Sequence, residues 1–230
     1  MPRVSPQHEQ AVRDRIVRAA IGVFAEHGFH RATMQDIVRA SGLSVGAIYT
    51  YFRSKSELIL AGCDLITDQE LGELRERLST VTNFRDRIAV AVGYFFDQFD
   101  EQRAGRSSTV LMTQAWAEAD ADPAIREMLR RRRRNIVTSG ALLVQEGVIR
   151  GELPAWLDVE SIAHAIAALL DGITLEAIED GAAYRREDAE RRVLAFLETL
   201  FAARNAEAQP ARLVAVAPRP YESLKAGRAS

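Results

Sequence analysis

The chain is poor in the residues that build several kinds of chemical site. One cysteine, Cys63, in 230 residues permits neither an internal disulfide nor a thiolate metal cluster, and no Cys-x-x-Cys or His-Glu-x-x-His spacing occurs. Lysine is confined to Lys55 and Lys225, so the basic residues are nearly all arginine. The N-terminal MPRVSPQHEQ has no apolar core, and the most apolar stretch, 161–178, is interrupted by His164, Asp171 and Glu176. These features predict a cytoplasmic protein, neither exported by a usual signal nor crossing a membrane. Two-residue alternation long enough for a sheet is also missing, and no cofactor is called for.

What is present is helix periodicity. Apolar residues recur every three or four positions in a chain that is 47% hydrophobic and 27% charged, which predicts an all-α fold. Helices are expected over 9–26, ending at Gly28, then over 33–40 and from 45 to 51 or 52. A long fourth helix starts after Ser54, and further helices are placed near 84–101, 107–119, 123–146, 159–180 and 185–205. Thr33 with Asp36, and Ser54 with Glu57, have capping-box spacing, while Ser44, Asp122 before Pro123, and Asp158 read as N-caps. The tail 207–230 holds three prolines without a sustained apolar period and is expected to be a mobile extension.

Charge is unevenly distributed. Residues 1–60 carry eight Arg/Lys against five Asp/Glu, whereas the whole chain has a net charge of −2. The positive end is the part suited to an anionic partner. It also contains two short helices separated only by Ser41, Gly42 and Leu43, the spacing of a helix-turn-helix. In such a unit the second helix enters the major groove. Val45, Gly46 and Ala47 are small enough to let its start approach the bases. Tyr49 and Tyr51 can donate to phosphate oxygens, Thr50 falls on the outward side, and Thr33 and Lys55 sit at helix starts where a phosphate is attracted. Ser44 caps the second helix. Phe52 and Ile48 fall on the inward face.

The segment 24–59, FAEHGFHRATMQDIVRASGLSVGAIYTYFRSKSELI, resembles the DNA-binding domain of the TetR family of bacterial transcriptional regulators. The correspondence runs in order through Phe24, Gly28, Thr33, Ile37, Gly42, Val45 to Ala47, Tyr49, Phe52 and Ser54-Lys55. The resemblance implies a homodimeric all-α regulator, most commonly a repressor, that reads a pseudo-palindromic double-stranded operator and is released by a small-molecule effector. It implies DNA contacts at Thr33, Ser44, Val45, Gly46, Ala47, Tyr49, Thr50, Tyr51 and Lys55. The corresponding division is a DNA-binding domain over 1–60, an effector-binding and dimerisation domain over 61–206, and the tail. The competing class is a helical small-molecule binding protein that no longer reads DNA.

Three other signals need an account. Gly42-Leu43-Ser44-Val45-Gly46 has the Gly-x-Ser-x-Gly form of a hydrolase nucleophile elbow, but that elbow needs a strand before the serine and here a capped helix precedes it, so no enzyme is expected. Five successive arginines, Arg130 to Arg134, would encircle a helix rather than line one stripe, which suits a solvated, ion-paired surface. Arg132 alone lies on the centre line of the apolar face of Ile125, Met128, Leu129, Ile136 and Leu143. It is expected either to anchor an effector or to pair with an inward acid such as Glu176. Phe95, Phe99, Met112 and Trp116 are the bulky candidates for lining an effector pocket, against the alternative that they are ordinary core. For dimerisation, the stripe Val193, Phe196, Leu197, Leu200 and Phe201 and the small residues Ala165, Ala168 and Gly172 are the expected contacts.

Overall fold

A computed structural model describes residues 5–103 and 108–202, with the side chains of 99–103, 108, 110, 200 and 201 also outside the description. The tail 207–230, Leu200, Phe201 and the side chain of Phe99 therefore lie outside the described residues. Among the described residues the regular structure is entirely helical: α1 (Pro6–Arg31), α2 (Met34–Ser41), α3 (Val45–Tyr51), α4 (Lys55–Ser79), α5 (Phe84–Arg103), α6 (Ser108–Glu118), α7 (Pro123–Ile149), α8 (Val159–Asp180), a 3-10 turn at Gly181–Ala183, and α9 (Arg186–Ala202).

The helix starts follow their caps closely. Thr33 accepts from the Asp36 amide while Asp36 accepts from the Thr33 amide, a complete capping box. Ser44, Asp122 and Asp158 cap α3, α7 and α8 as expected. The pair at α4 is only half a box: Ser54 Oγ accepts from the Glu57 amide, but Glu57 reaches back to the amide of Arg53 at 2.8 Å. Helix α1 begins three residues earlier than its apolar pattern, because Ser5 caps it and Pro6 sits at its first position. It also does not end at Gly28. That glycine, at φ 77° and ψ 161°, breaks the helix, which resumes for one turn to Arg31. Gly42, at φ 65° and ψ 23°, is the left-handed cap that ends α2.

Two apolar clusters organise the molecule. The first joins Ile16, Ala20, Phe24 and Phe29 of α1 to Ile37, Ile48, Phe52 and Leu58, and continues into Leu111, Met112 and Ala115 of α6 and Ile125 and Met128 of α7. Phe24 and Phe29 meet edge to face, with ring centroids 5.1 Å apart. The Arg13 guanidinium covers the Phe52 ring at 4.5 Å, and Arg15 Nε donates to the Ser41 carbonyl at the end of α2. The second cluster packs Phe84, Val92 and Phe96 of α5 with Val144, Ile173, Val193 and Leu197. The three-helix unit α1–α3 is thus anchored on α4, α6 and α7 rather than hung from a flexible linker.

The arginine run is ion-paired throughout. Arg130 lies 3.8 Å from Glu127, Arg131 2.5 Å from Asp64, Arg132 2.6 Å from Glu70 and Arg134 2.9 Å from Glu127, and Arg133 pairs with Asp171. The five side chains are directed to α4, α7 and α8 in turn, as their angular spread around α7 requires.

Candidate nucleic-acid interface and ligand cavity

Helix α3 has one buried and one open face. Ile48 is fully buried, while Val45 is 49% and Tyr49 47% exposed. Ser44, Gly46 and Thr50 are exposed beside them and Ala47 is half-buried. Local bonds fix this face: Ser44 Oγ accepts from the Ala47 amide and Thr50 Oγ1 donates to the Gly46 carbonyl. Thr33, at the start of α2, is exposed, and its hydroxyl donates to Asp36 Oδ2 at 2.6 Å. That bond and one from the Thr33 amide hold the Asp36 carboxyl down at about 2, with Arg39 adding to the effect. The Gly-x-Ser-x-Gly sequence is the turn between two helices, with Ser44 serving as a cap.

Two of the residues expected at this surface have other partners. Tyr51 is half-buried against the first cluster. The Lys55 ammonium donates to the carbonyls of Phe29 at 2.6 Å, His30 at 3.4 Å and Ala32 at 3.2 Å. Its three protons thereby satisfy carbonyls at the end of α1, where a cation also suits the helix dipole. Sequence spacing did not reveal this role, because the acceptors lie 23 to 26 positions upstream.

Below this unit a cavity of about 800 Å³, open on one side, is lined by α4 to α9. Phe95, Met112, Trp116 and Arg132 line it. Glu176 does not, and the expected Arg132–Glu176 pair does not form. Arg132 Nη1 instead contacts Glu70 Oε2 at 2.6 Å and donates to Thr67 Oγ1 at 3.0 Å, while Glu176 pairs with Arg192. The face of α7 that carries Arg132 packs on α4, which supplies the acid. Leu71, Leu74, Leu78, Ile166 and Leu170, from α4 and α8, extend the aliphatic wall. Burial raises the carboxyl pKa of Asp171, also on the wall, against the opposing pull of Arg133. Cys63 stands apart: it packs in the first apolar cluster, where burial pushes its thiol up to about 12.

Helix α6 touches both places. Met112 and Trp116 face the cavity, and Gln114 Oε1 accepts from the Phe29 amide at 2.9 Å. Glu118 Oε1 lies 2.6 Å from His30 Nε2. The last turn of α1 is therefore held on one side by Lys55 and on the other by the helix that forms a cavity wall.

Comparison with known proteins agrees with this architecture. The family described as bacterial regulatory proteins, tetR family, matches residues 16–61, and BetI-type transcriptional repressor, C-terminal, matches 85–202. The HTH-type transcriptional activator FasR of Mycolicibacterium smegmatis is 36% identical over 93 residues, which span 40% of this chain and 42% of that protein. The HTH-type transcriptional regulator BetI of Escherichia coli O139:H28 is 28% identical over 183 residues, covering 79% of this chain and 88% of BetI. A transcriptional regulator from Saccharomonospora viridis, solved in complex with choline, superposes with a TM-score of 0.70 at 21% identity, covering 82% of this chain and 96% of that one. The chain belongs to the TetR family of bacterial transcriptional regulators.

Proposed function

We propose that the protein is a homodimeric repressor that binds a pseudo-palindromic operator through α3 of each protomer and lets go when a small molecule occupies the cavity. Residues 1–60 form the reading head, residues 61–206 bind effector and partner, and the protein works in the cytoplasm, where its operator is. The observation that carries this reading is the open face of α3, with small residues at its start and Tyr49 and Thr50 beside them, presented at the end of a three-residue turn. Small side chains bring the helix start against base edges, and the Tyr49 hydroxyl donates to a phosphate. Thr33 and Ser44 flank that face. Tyr51 and Lys55 support it from within, the latter by fixing the end of α1.

Repression is favoured by the BetI-type repressor family that matches residues 85–202. A dimer is favoured by α8, where only 22% of the most apolar stretch is buried within the chain. Ala165, Ala168, Gly172, Leu175 and Ile178 form an exposed seam at three- and four-residue spacing, and the small members let a second helix approach closely. Among the described residues of α9 the exposed large apolar groups are Leu194 and Phe196, whereas Val193 and Leu197 pack inward. Release by effector is supported by α6, which shares its residues between the cavity and the α1 end.

Tyr49→Phe tests the reading head. Loss of one hydroxyl contact to a charged phosphate per protomer should weaken operator binding by about tenfold or more per contact without changing stability. Parent-like affinity would remove the Tyr49 hydroxyl from the interface.

A further inference from the structure

We infer that the cavity takes an elongated aliphatic molecule with an anionic end, of the fatty-carboxylate type, rather than a small quaternary ammonium. The inference rests on the cavity being the effector site.

Size is the first reason. At roughly 30 Å³ per water-sized group, 800 Å³ has room for on the order of 25 heavy atoms. Choline would leave most of that space unfilled. The wall is the second reason. Leu71, Leu74, Ile88, Leu143, Ile166 and Leu170 come from four different helices, so the aliphatic surface surrounds a chain rather than forming one flat patch. Among the described residues the wall has three aromatic side chains, Tyr94, Phe95 and Trp116, and two of them are already engaged. The Tyr94 ring already carries the Arg77 guanidinium, 4.8 Å from its centroid, and Phe95 is set edge to face with Phe96.

Charge is the third reason. Among the described residues six arginines and three acids contribute to the wall. Each acid already has a guanidinium: Glu70 has Arg132, Asp171 has Arg133, and Glu146 has Arg87 at 3.1 Å and Arg150 at 2.8 Å. Arg75 has no hydrogen-bond or ion-pair partner among the described residues, and Arg130 has the 3.8 Å ion pair with Glu127, which it shares with Arg134. Among the described residues a cationic head would meet more guanidinium than carboxylate on the wall and no carboxylate without an arginine partner. A carboxylate would find a guanidinium able to bind it in bidentate fashion.

The test uses the full-length protein and calorimetric titration without DNA, with every probe below its critical micelle concentration. The probes are octanoate, decanoate, dodecanoate, dodecanol, dodecyltrimethylammonium and choline. Affinity should rise roughly fourfold per added methylene along the carboxylates, and dodecanoate should bind at least tenfold tighter than dodecyltrimethylammonium. In Arg75→Ala, at an exposed site that leaves the fold intact, dodecanoate should lose about fivefold while dodecanol is unchanged. Equal or tighter binding of the ammonium, binding of choline without chain-length dependence, or binding of no probe would overturn the inference. Because the titration contains no DNA, its outcome is independent of operator binding. Dodecanoate that binds as described but leaves operator affinity unchanged would support the ligand class and count against the cavity as the effector site.

Discussion

Replacing Lys55 by methionine isolates what its ammonium does. Methionine keeps an unbranched stem that packs in the same place, so the lost part is the charge and its three donors. The bonds to Phe29 and Ala32, at 2.6 and 3.2 Å, have full hydrogen-bond length, and the one to His30, at 3.4 Å, is long. A bond from a charged donor contributes about 1.5–3 kcal/mol. Lys55 is half-buried, so water can reach part of the vacated site, and the low end of that range applies. The lost interaction of a cation with the α1 terminus adds about 0.3–1 kcal/mol. The expected total is about 2 kcal/mol, which for a chain of this size lowers Tm by about 4–8 °C. The assay is urea denaturation at fixed protein concentration, since the proposed dimer would make stability depend on it. The midpoint should fall with an unchanged slope. A loss below about 0.5 kcal/mol would refute the assignment of Lys55 as the clamp on α1. Operator binding supplies a second readout. With its three protons engaged, Lys55 releases no counterion, so the dependence of log affinity on log salt should keep its slope, whereas a reduction of about 0.9 per protomer would show that phosphate displaces the carbonyls.

Other perturbations follow from the same packing and electrostatics. Phe52→Ala, removing a ring 1% exposed within the first cluster, should cost about 3–5 kcal/mol in denaturant; a loss under 1 kcal/mol would contradict its place in the core. Cys63, buried and with its thiol at about 12, should resist iodoacetamide at pH 8 until denaturant is added, and rapid labelling of the native protein would contradict its burial. Asp36 is held below its ordinary 3.8, at about 2, so its contribution is complete above pH 4 and is lost as pH falls through 2. Asp36→Asn should be less stable than the parent at pH 7, with the difference closing below pH 2; a constant gap would place the effect in packing rather than charge.

The helix order was legible because caps and glycines are local signals. Thr33, Ser44, Asp122 and Asp158 mark starts through bonds spanning two or three residues, and Gly42 marks an end through its own backbone angles. The start of α1 was misplaced because periodicity begins at the first buried turn, while Ser5 and Pro6 extend the helix into solvent. Contacts between distant segments were not legible. Periodicity put Arg132 on the inward line of α7, but which helix lies opposite is decided by the packing of the whole bundle, and that helix is α4 with Glu70 rather than α8 with Glu176. The outward position of Tyr49 follows from a three-residue turn and Ile48. The engagement of Lys55 depends on a fold-back over more than twenty residues. Phe95, Met112 and Trp116 were recognisable as large apolar groups, whereas the contribution of Leu71, Leu74 and Arg75 to the same wall required the crossing of α4 over α7.

Selection of duplexes from a randomised DNA pool by the purified protein, followed by affinity against salt on the enriched sequence, tests the central claim most directly. A homodimeric repressor should yield a two-fold symmetric motif, half-sites about one helical turn apart, two chains per duplex and a steep salt dependence. No enrichment at low salt by folded protein would contradict it.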